Sequence, residues 1–180
     1  MSAPTLETSR LILRPWRDAD IPHWIAMHAD ARVMEFFPST YSEEYAKEVA
    51  ERLRVQLERD GHGWWIAEIK DGGRFAGTIA LQEVPFEAHF TPAREIGWRL
   101  TRDAWGHGYA TEGARAVLDY AFGEMGCNEI VSMTAEINAR SRRVMERLGM
   151  TRECADDFDH PRLQEGDRLR RHVLYRLLAR

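Results

Sequence analysis

The sequence predicts an α+β fold: a mixed, mostly antiparallel sheet of about seven strands, flanked by about four helices. Three observations lead there. Apolar residues recur at helical spacing in two early segments, then at period two between Trp64 and Leu100, then in a strand–helix–strand–helix alternation. Hairpins followed by a strand–helix–strand crossover give a mixed sheet with helices on both faces. No internal repeat, low-complexity run or linker interrupts the pattern, so residues 1–180 read as one domain.

Taken in order, Leu11-Ile12-Leu13-Arg14 is a short strand ended by Pro15. Asp18 or Asp20 then caps a helix with Ile21, Trp24, Ile25 and His28 on one face, Pro22 being tolerated in its first turn. Met34-Glu35-Phe36-Phe37-Pro38 is a loop. Ser42 is an N-cap, with Glu43 and Glu44 where the helix dipole favours negative charge. Val49, Leu53 and Leu57 continue that helix until Gly61 and Gly63. Trp64–Ile69 and Phe75–Leu81 are strands joined by the turn signal Asp71-Gly72-Gly73. Glu95–Leu100 is the next strand. A helix then carries Ala110, Ala114, Val117, Leu118, Ala121 and Met125, followed by a strand over Ile130–Glu136. Asn138 opens a short helix closed by Gly149, and Val173–Leu177 is a late strand.

Composition narrows the function. The chain has 180 residues, 44% hydrophobic and 30% charged, which suits a globular domain with one core. With 25 Lys and Arg against 29 Asp and Glu, its net charge of −4 argues against a general nucleic-acid binder. Two cysteines without metal spacing, no HExxH, and His23 and His28 five apart predict neither a disulfide framework nor a metal. A reducing cytoplasm is the expected compartment. The N-terminus has no basic and apolar signal segment, and no uncharged run reaches 18 apolar residues, so no membrane span is expected.

The densest chemical signal is Trp105-Gly106-His107-Gly108-Tyr109-Ala110, which joins a strand directly to a helix N-terminus. Small residues at 106, 108 and 110 let the backbone approach a ligand, and the first-turn amides with the helix dipole make an anion site suited to a pyrophosphate. Glycines in such a turn also occur for geometry alone. No Gly-Lys-Ser/Thr follows, so the turn is not a Walker A loop; nor is it a dinucleotide fingerprint.

Glu95-Ile96-Gly97-Trp98-Arg99-Leu100 followed by Trp105-Gly106-His107-Gly108-Tyr109-Ala110-Thr111-Glu112 resembles the acetyl-CoA signature of the GNAT N-acetyltransferases. Asn138–Met150 resembles the family's second signature, and Leu11–Arg14 and His172–Leu177 fit its ends. The branch most resembled includes the ribosomal-protein N-terminal acetyltransferases. Where the family pattern opens its turn with Gln or Arg, this chain has Trp105.

The resemblance implies direct attack of a primary amine, from a protein N-terminus or a small molecule, on the thioester of acetyl-CoA. It implies pyrophosphate contacts from Gly106, His107, Gly108, Tyr109, Ala110 and Thr111, with Trp105 beside them. The pantetheine arm would pair along Trp98-Arg99-Leu100, where a β-bulge splays the sheet, and an N–H near Leu100 would face the thioester carbonyl. By their residue types alone, Asn138 is a helix cap and Ser141 a solvated first-turn residue; in the family, the matching Asn touches the pantetheine and the matching hydroxyl lies near the CoA sulfur. Glu95 is the expected proton acceptor, its rival reading being a surface charge or an ion pair with Arg99. His160, in a cluster with Asp157, Phe158 and Asp159, is the rival base. Phe36, Phe37 and Phe86, with His160, are candidates for the acceptor groove, against a plain core role. The alternative function is a non-catalytic acyl-CoA-binding or sensing domain. A homodimer is common in the family, and neither nucleic acid nor membrane is expected as a partner.

Overall fold

The computed structural model describes residues 3–179. Nine strands form one sheet in the order β1-β2-β3-β4-β5-β6-β9-β7, with β8 also paired to β9. They are β1 (Leu6–Glu7), β2 (Leu11–Arg14), β3 (Trp64–Ile69), β4 (Arg74–Glu83), β5 (Arg94–Leu100), β6 (Glu129–Ala135), β7 (Thr151–Arg152), β8 (Phe158–Asp159) and β9 (Arg171–Leu178). The α-helices are α1 (Ile21–Ala29), α2 (Glu43–Asp60), α3 (Tyr109–Gly123) and α4 (Ala139–Arg147). The sheet therefore has more strands than the seven expected. The additional ones, β1, β7 and β8, are two residues each and too short to show a period of two.

Local chemistry fixes the helix ends. Ser42 Oγ accepts from the Tyr45 amide at the start of α2, and Gly61 closes that helix in the left-handed region. Asp20 precedes α1 but does not cap it through its side chain. Its carboxylate is buried and accepts two bonds of 2.8 Å from Arg14, whose Nε donates to Glu68 at 2.7 Å. That network ties β2, β3 and the entry to α1 together, which sequence spacing did not reveal.

All neighbouring strands run antiparallel except β5 and β6, which are parallel and matched at a single pair, Glu95 with Val131. One further rung follows, Ser132 Oγ donating to the Ile96 carbonyl at 2.8 Å. Beyond it no β5–β6 pair is formed, while β6 stays paired with β9 and β5 with β4 along their other edges. The opening occurs where the resemblance implied, but β5 carries no bulge there. Its register with β4 is unbroken from Arg94 to Leu100, and the shift lies one strand further, between β3 and β4 at Ala67/Glu68. Gly77 beside that shift has φ of +135°, and a Cβ there would lie 2.2 Å from the Arg99 carbonyl oxygen. The irregularity is carried by β4 because glycine permits it.

Candidate active site

Register determines what β5 offers on each side. Thr101 N donates to Ala76 O next to the Gly77–Leu100 pair. By antiparallel alternation, the amides and carbonyls of Glu95, Gly97 and Arg99 bond to β4, and those of Ile96, Trp98 and Leu100 face the β6 side. The Ile96 carbonyl is taken by Ser132, and the Leu100 carbonyl by the Trp105 indole N–H at 2.9 Å. The amides of Trp98 and Leu100 thus border the gap between β5 and β6. Arg99, expected to offer its backbone with them, has its backbone turned to β4.

The gap is part of a cleft of about 890 Å³ that runs from the start of α3 to the loop around His160. Gly106, Gly108, Tyr109, Ala110 and Thr111 line it at one end, with Trp98, Leu100 and Trp105 beside them. Asn138 and Ser141 line it from α4. His107 does not line it: its ring stacks on Tyr109, and its carbonyl accepts from Arg10. Gly108 is the N-cap of α3 with φ of +82°, which leaves the first-turn amides without intrahelical acceptors. Thr111 Oγ1 in that turn is buried without a hydrogen-bond partner among the described residues. An orphaned hydroxyl and free amides at a positive helix end fit a phosphate-bearing ligand.

The helix cap and the cleft share Asn138. Its Oδ1 accepts from the Ser141 amide at 3.2 Å, and its Nδ2 donates to Thr134 Oγ1 at 2.9 Å, holding α4 to β6. Capping, the plain reading of Asn138, is therefore present together with its place on the cleft wall.

Glu95, Gly97 and Arg99 alternate onto the other face of β5, toward α1 and α2. Glu95 forms no ion pair with Arg99. Its carboxylate receives Gln82 Nε2 at 3.4 Å, and burial pushes its pKa up to about 7, opposed by that hydrogen bond. Gln82 is oriented in turn by Trp64, whose indole N–H donates to Gln82 Oε1 at 2.8 Å. Neither Gln82 nor Trp64 was singled out from the sequence. Strand alternation places each on a face, but only the register aligns them with Glu95.

Phe36 and Phe37 line the cleft in front of Arg99, and Phe86 and His160 line its far end. His160 packs 4.8 Å from the rings of both Phe86 and His172, and burial with the nearby positive potential of His172 and Arg162 lowers its pKa to about 4. The rest of that cluster has structural work: Asp157 pairs with Arg152, Asp159 with Arg170 and Arg171, and Phe158 is packed with Phe90, Val131 and Leu174. Among the described residues there is no cluster of three or more His, Cys, Asp or Glu suited to a metal, and no helix long and apolar enough to cross a membrane.

A parted parallel strand pair feeds a cleft that ends on a glycine-capped helix, an arrangement suited to a ligand with an extended arm and a phosphate-bearing head. The profile described as an acetyltransferase (GNAT) domain matches residues 10–151. The chain belongs to the GNAT acetyltransferases, enzymes that use acetyl-CoA as co-substrate. It is 34% identical over 155 residues to FsC-acetyl coenzyme A-N(2)-transacetylase of Aspergillus fumigatus, a match covering 82% of this chain and 65% of that protein. It is 33% identical over 152 residues to the uncharacterized protein YkkB of Bacillus subtilis, covering 83% of this chain and 87% of the other. A GNAT-family acetyltransferase from Bacillus anthracis superimposes with a TM-score of 0.81 at 25% identity, over 98% of this chain and 99% of that one.

Proposed function

We propose that this protein is a cytoplasmic N-acetyltransferase that moves the acetyl group of acetyl-CoA to a primary amine, with Glu95 as the proton acceptor. The observation that carries the reading is the position of Glu95. A carboxyl with a pKa near 7 sits on the strand whose Trp98 and Leu100 amides border the gap. A base poised at the working pH is half ionised there and still strong enough to take a proton. His160, held near 4, is neutral at pH 7 but a far weaker acceptor.

When bound, acetyl-CoA supplies the thioester carbonyl carbon that the amine attacks. In the reaction the amine lone pair forms the N–C bond, the C–S bond breaks, and the sulfur leaves with the bonding pair. The Leu100 amide is the donor toward the carbonyl oxygen as charge develops there. The Ser141 hydroxyl donates toward the departing sulfur, and Glu95 takes the amine proton directly or through one water. The first-turn amides of α3 from Gly108 to Thr111, with the Thr111 hydroxyl, hold the pyrophosphate. An α-amine with a pKa of ~7.8 is about one-seventh neutral at pH 7, so it asks less of Glu95 than a lysine at ~10.4 does.

The test is CoA release across a panel of amines for the parent protein and Glu95→Gln. The variant is expected to bind acetyl-CoA normally and to lose about 10²-fold in kcat, the loss shrinking as pH approaches the amine's own pKa. Tight acetyl-CoA binding with no release for any amine would favour the non-catalytic acyl-CoA-binding alternative.

A further inference from the structure

Arg99 is a charge without a counter-charge. Its guanidinium lies 3.9 Å from the centroid of the Phe37 ring and 5.7 Å from that of Trp64. One Nη donates to His28 Nε2, whose ring is buried, with Nδ1 2.9 Å from the Trp24 carbonyl. Nδ1 is therefore the protonated nitrogen, and Nε2 offers a lone pair to Arg99. Burial and the facing Arg99 hold the His28 pKa down to about 3, so His28 brings no charge of its own. Tyr41, its ring stacked 4.8 Å from that of His28, is the other polar partner of the guanidinium and favours its charged form, but it is a phenol and not a carboxylate. Arg99 Nε is buried with no hydrogen-bond partner, and no carboxylate among the described residues pairs with the group.

An arginine stays protonated inside a protein, and a buried cation is strongly disfavoured unless something neutralises it. Aromatic faces offset part of that cost but leave the N–H donors unsatisfied. The contrast with Arg14 is direct. Arg14, which is more deeply buried, is saturated by Asp20 and Glu68. Arg99, on the wall of the cleft, is not.

We infer that Arg99 binds a carboxylate carried by the acceptor, so that the substrate class is a small amino carboxylate: one molecule with an amine for the Glu95 end and an acid for Arg99. Glu95 and Arg99 stand four residues apart on one face of β5, about 13 Å between Cα atoms at 3.3 Å per residue. Gly97 between them has no side chain, and a Cβ there would meet nothing within 4 Å. The strand thus leaves an open floor from base to cation, with Phe36 and Phe37 on the cleft wall. The inference rests on the acetyltransfer reading for the amine end, but the carboxylate end is measurable without turnover.

Two measurements test it. In the first, CoA release is followed with glycine, β-alanine, 4-aminobutyrate and 6-aminohexanoate, each against its carboxamide. At least one carboxylate is expected to exceed its carboxamide tenfold or more in kcat/KM. Arg99→Gln should remove that preference by lowering the carboxylate at least tenfold more than the carboxamide, and Arg99→Lys should restore part of it. In the second, the N-acetyl derivatives of the same compounds are titrated into the protein, read by tryptophan fluorescence and calorimetry. Carboxylates should bind more tightly than carboxamides in the parent protein and equally in Arg99→Gln, with normal acetyl-CoA binding as the check that each variant is folded. Carboxylate-selective binding without CoA release would count for the Arg99 site and against acetyl transfer. Equal binding of the two forms in the parent protein, or equal losses on both in Arg99→Gln, overturns the inference.

Discussion

Gln82 and Glu95 face each other across the β4–β5 ladder, the Gln82 Nε2 donating to Glu95 while its Oε1 accepts from the Trp64 indole. This chain of two hydrogen bonds fixes which end of the amide meets the carboxylate. It opposes the effect of burial, which raises the Glu95 pKa to about 7.

Replacing Gln82 with Leu should raise the Glu95 pKa further, because the bond that favours its charged form is lost. The proposed mechanism uses ionised Glu95, so the acid limb of the kcat/KM profile should move to higher pH. A pH–rate series on both proteins with one amine reads the shift. An unmoved limb would mean that Glu95 does not control it.

Glu95 should also cost stability when it is ionised. Its folded pKa lies above its ordinary value of 4.5, so between those values the folded protein keeps a proton that the unfolded chain releases. Stability therefore falls as pH rises from about 4.5 to about 7. Glu95→Gln removes the titration, and it should gain about 1–3 kcal/mol relative to the parent protein at pH 8. The difference should vanish near pH 4, where Glu95 is neutral in both states. Urea denaturation at the two pH values checks the sign.

Gly108→Val should abolish acetyl-CoA binding in calorimetry. The φ of +82° is strained for valine, whose Cβ would lie 3.5 Å from Arg10 Nη2, so the turn that presents the first-turn amides would have to shift. Undiminished affinity would remove the turn from the ligand site.

Ser141→Ala should lower kcat more than it weakens acetyl-CoA binding, since the proposed bond to the departing sulfur would strengthen as charge reaches it. Asn138→Ala should lower both and destabilise the fold by about 1 kcal/mol, through loss of the α4 cap. It also removes the tie to Thr134. Steady-state kinetics, calorimetry and thermal melts on the two variants separate these roles.

What the sequence determined by itself is what short windows encode. Gly106 and Gly108 before a helical period specify the turn and the exposed amides of α3, and Ser42 and Asn138 specify caps that form as expected. Such features depend on φ, ψ and hydrogen bonds within a few residues. Phe36, Phe37 and Phe86 line the cleft, but their apolar character in the sequence suited a core role as well as a groove. Only the tertiary structure decided the partnerships. Glu95 meets Gln82 instead of Arg99, Arg99 reaches His28 and Phe37 but no acid, and His160 is drained of basicity by burial and its cationic surroundings. The same is true of the single matched pair between β5 and β6, and of the β4 irregularity that replaces a bulge in β5. Register, burial and charge compensation join residues far apart in the chain, and a pKa follows from that environment, so none of these is written in any one stretch of sequence.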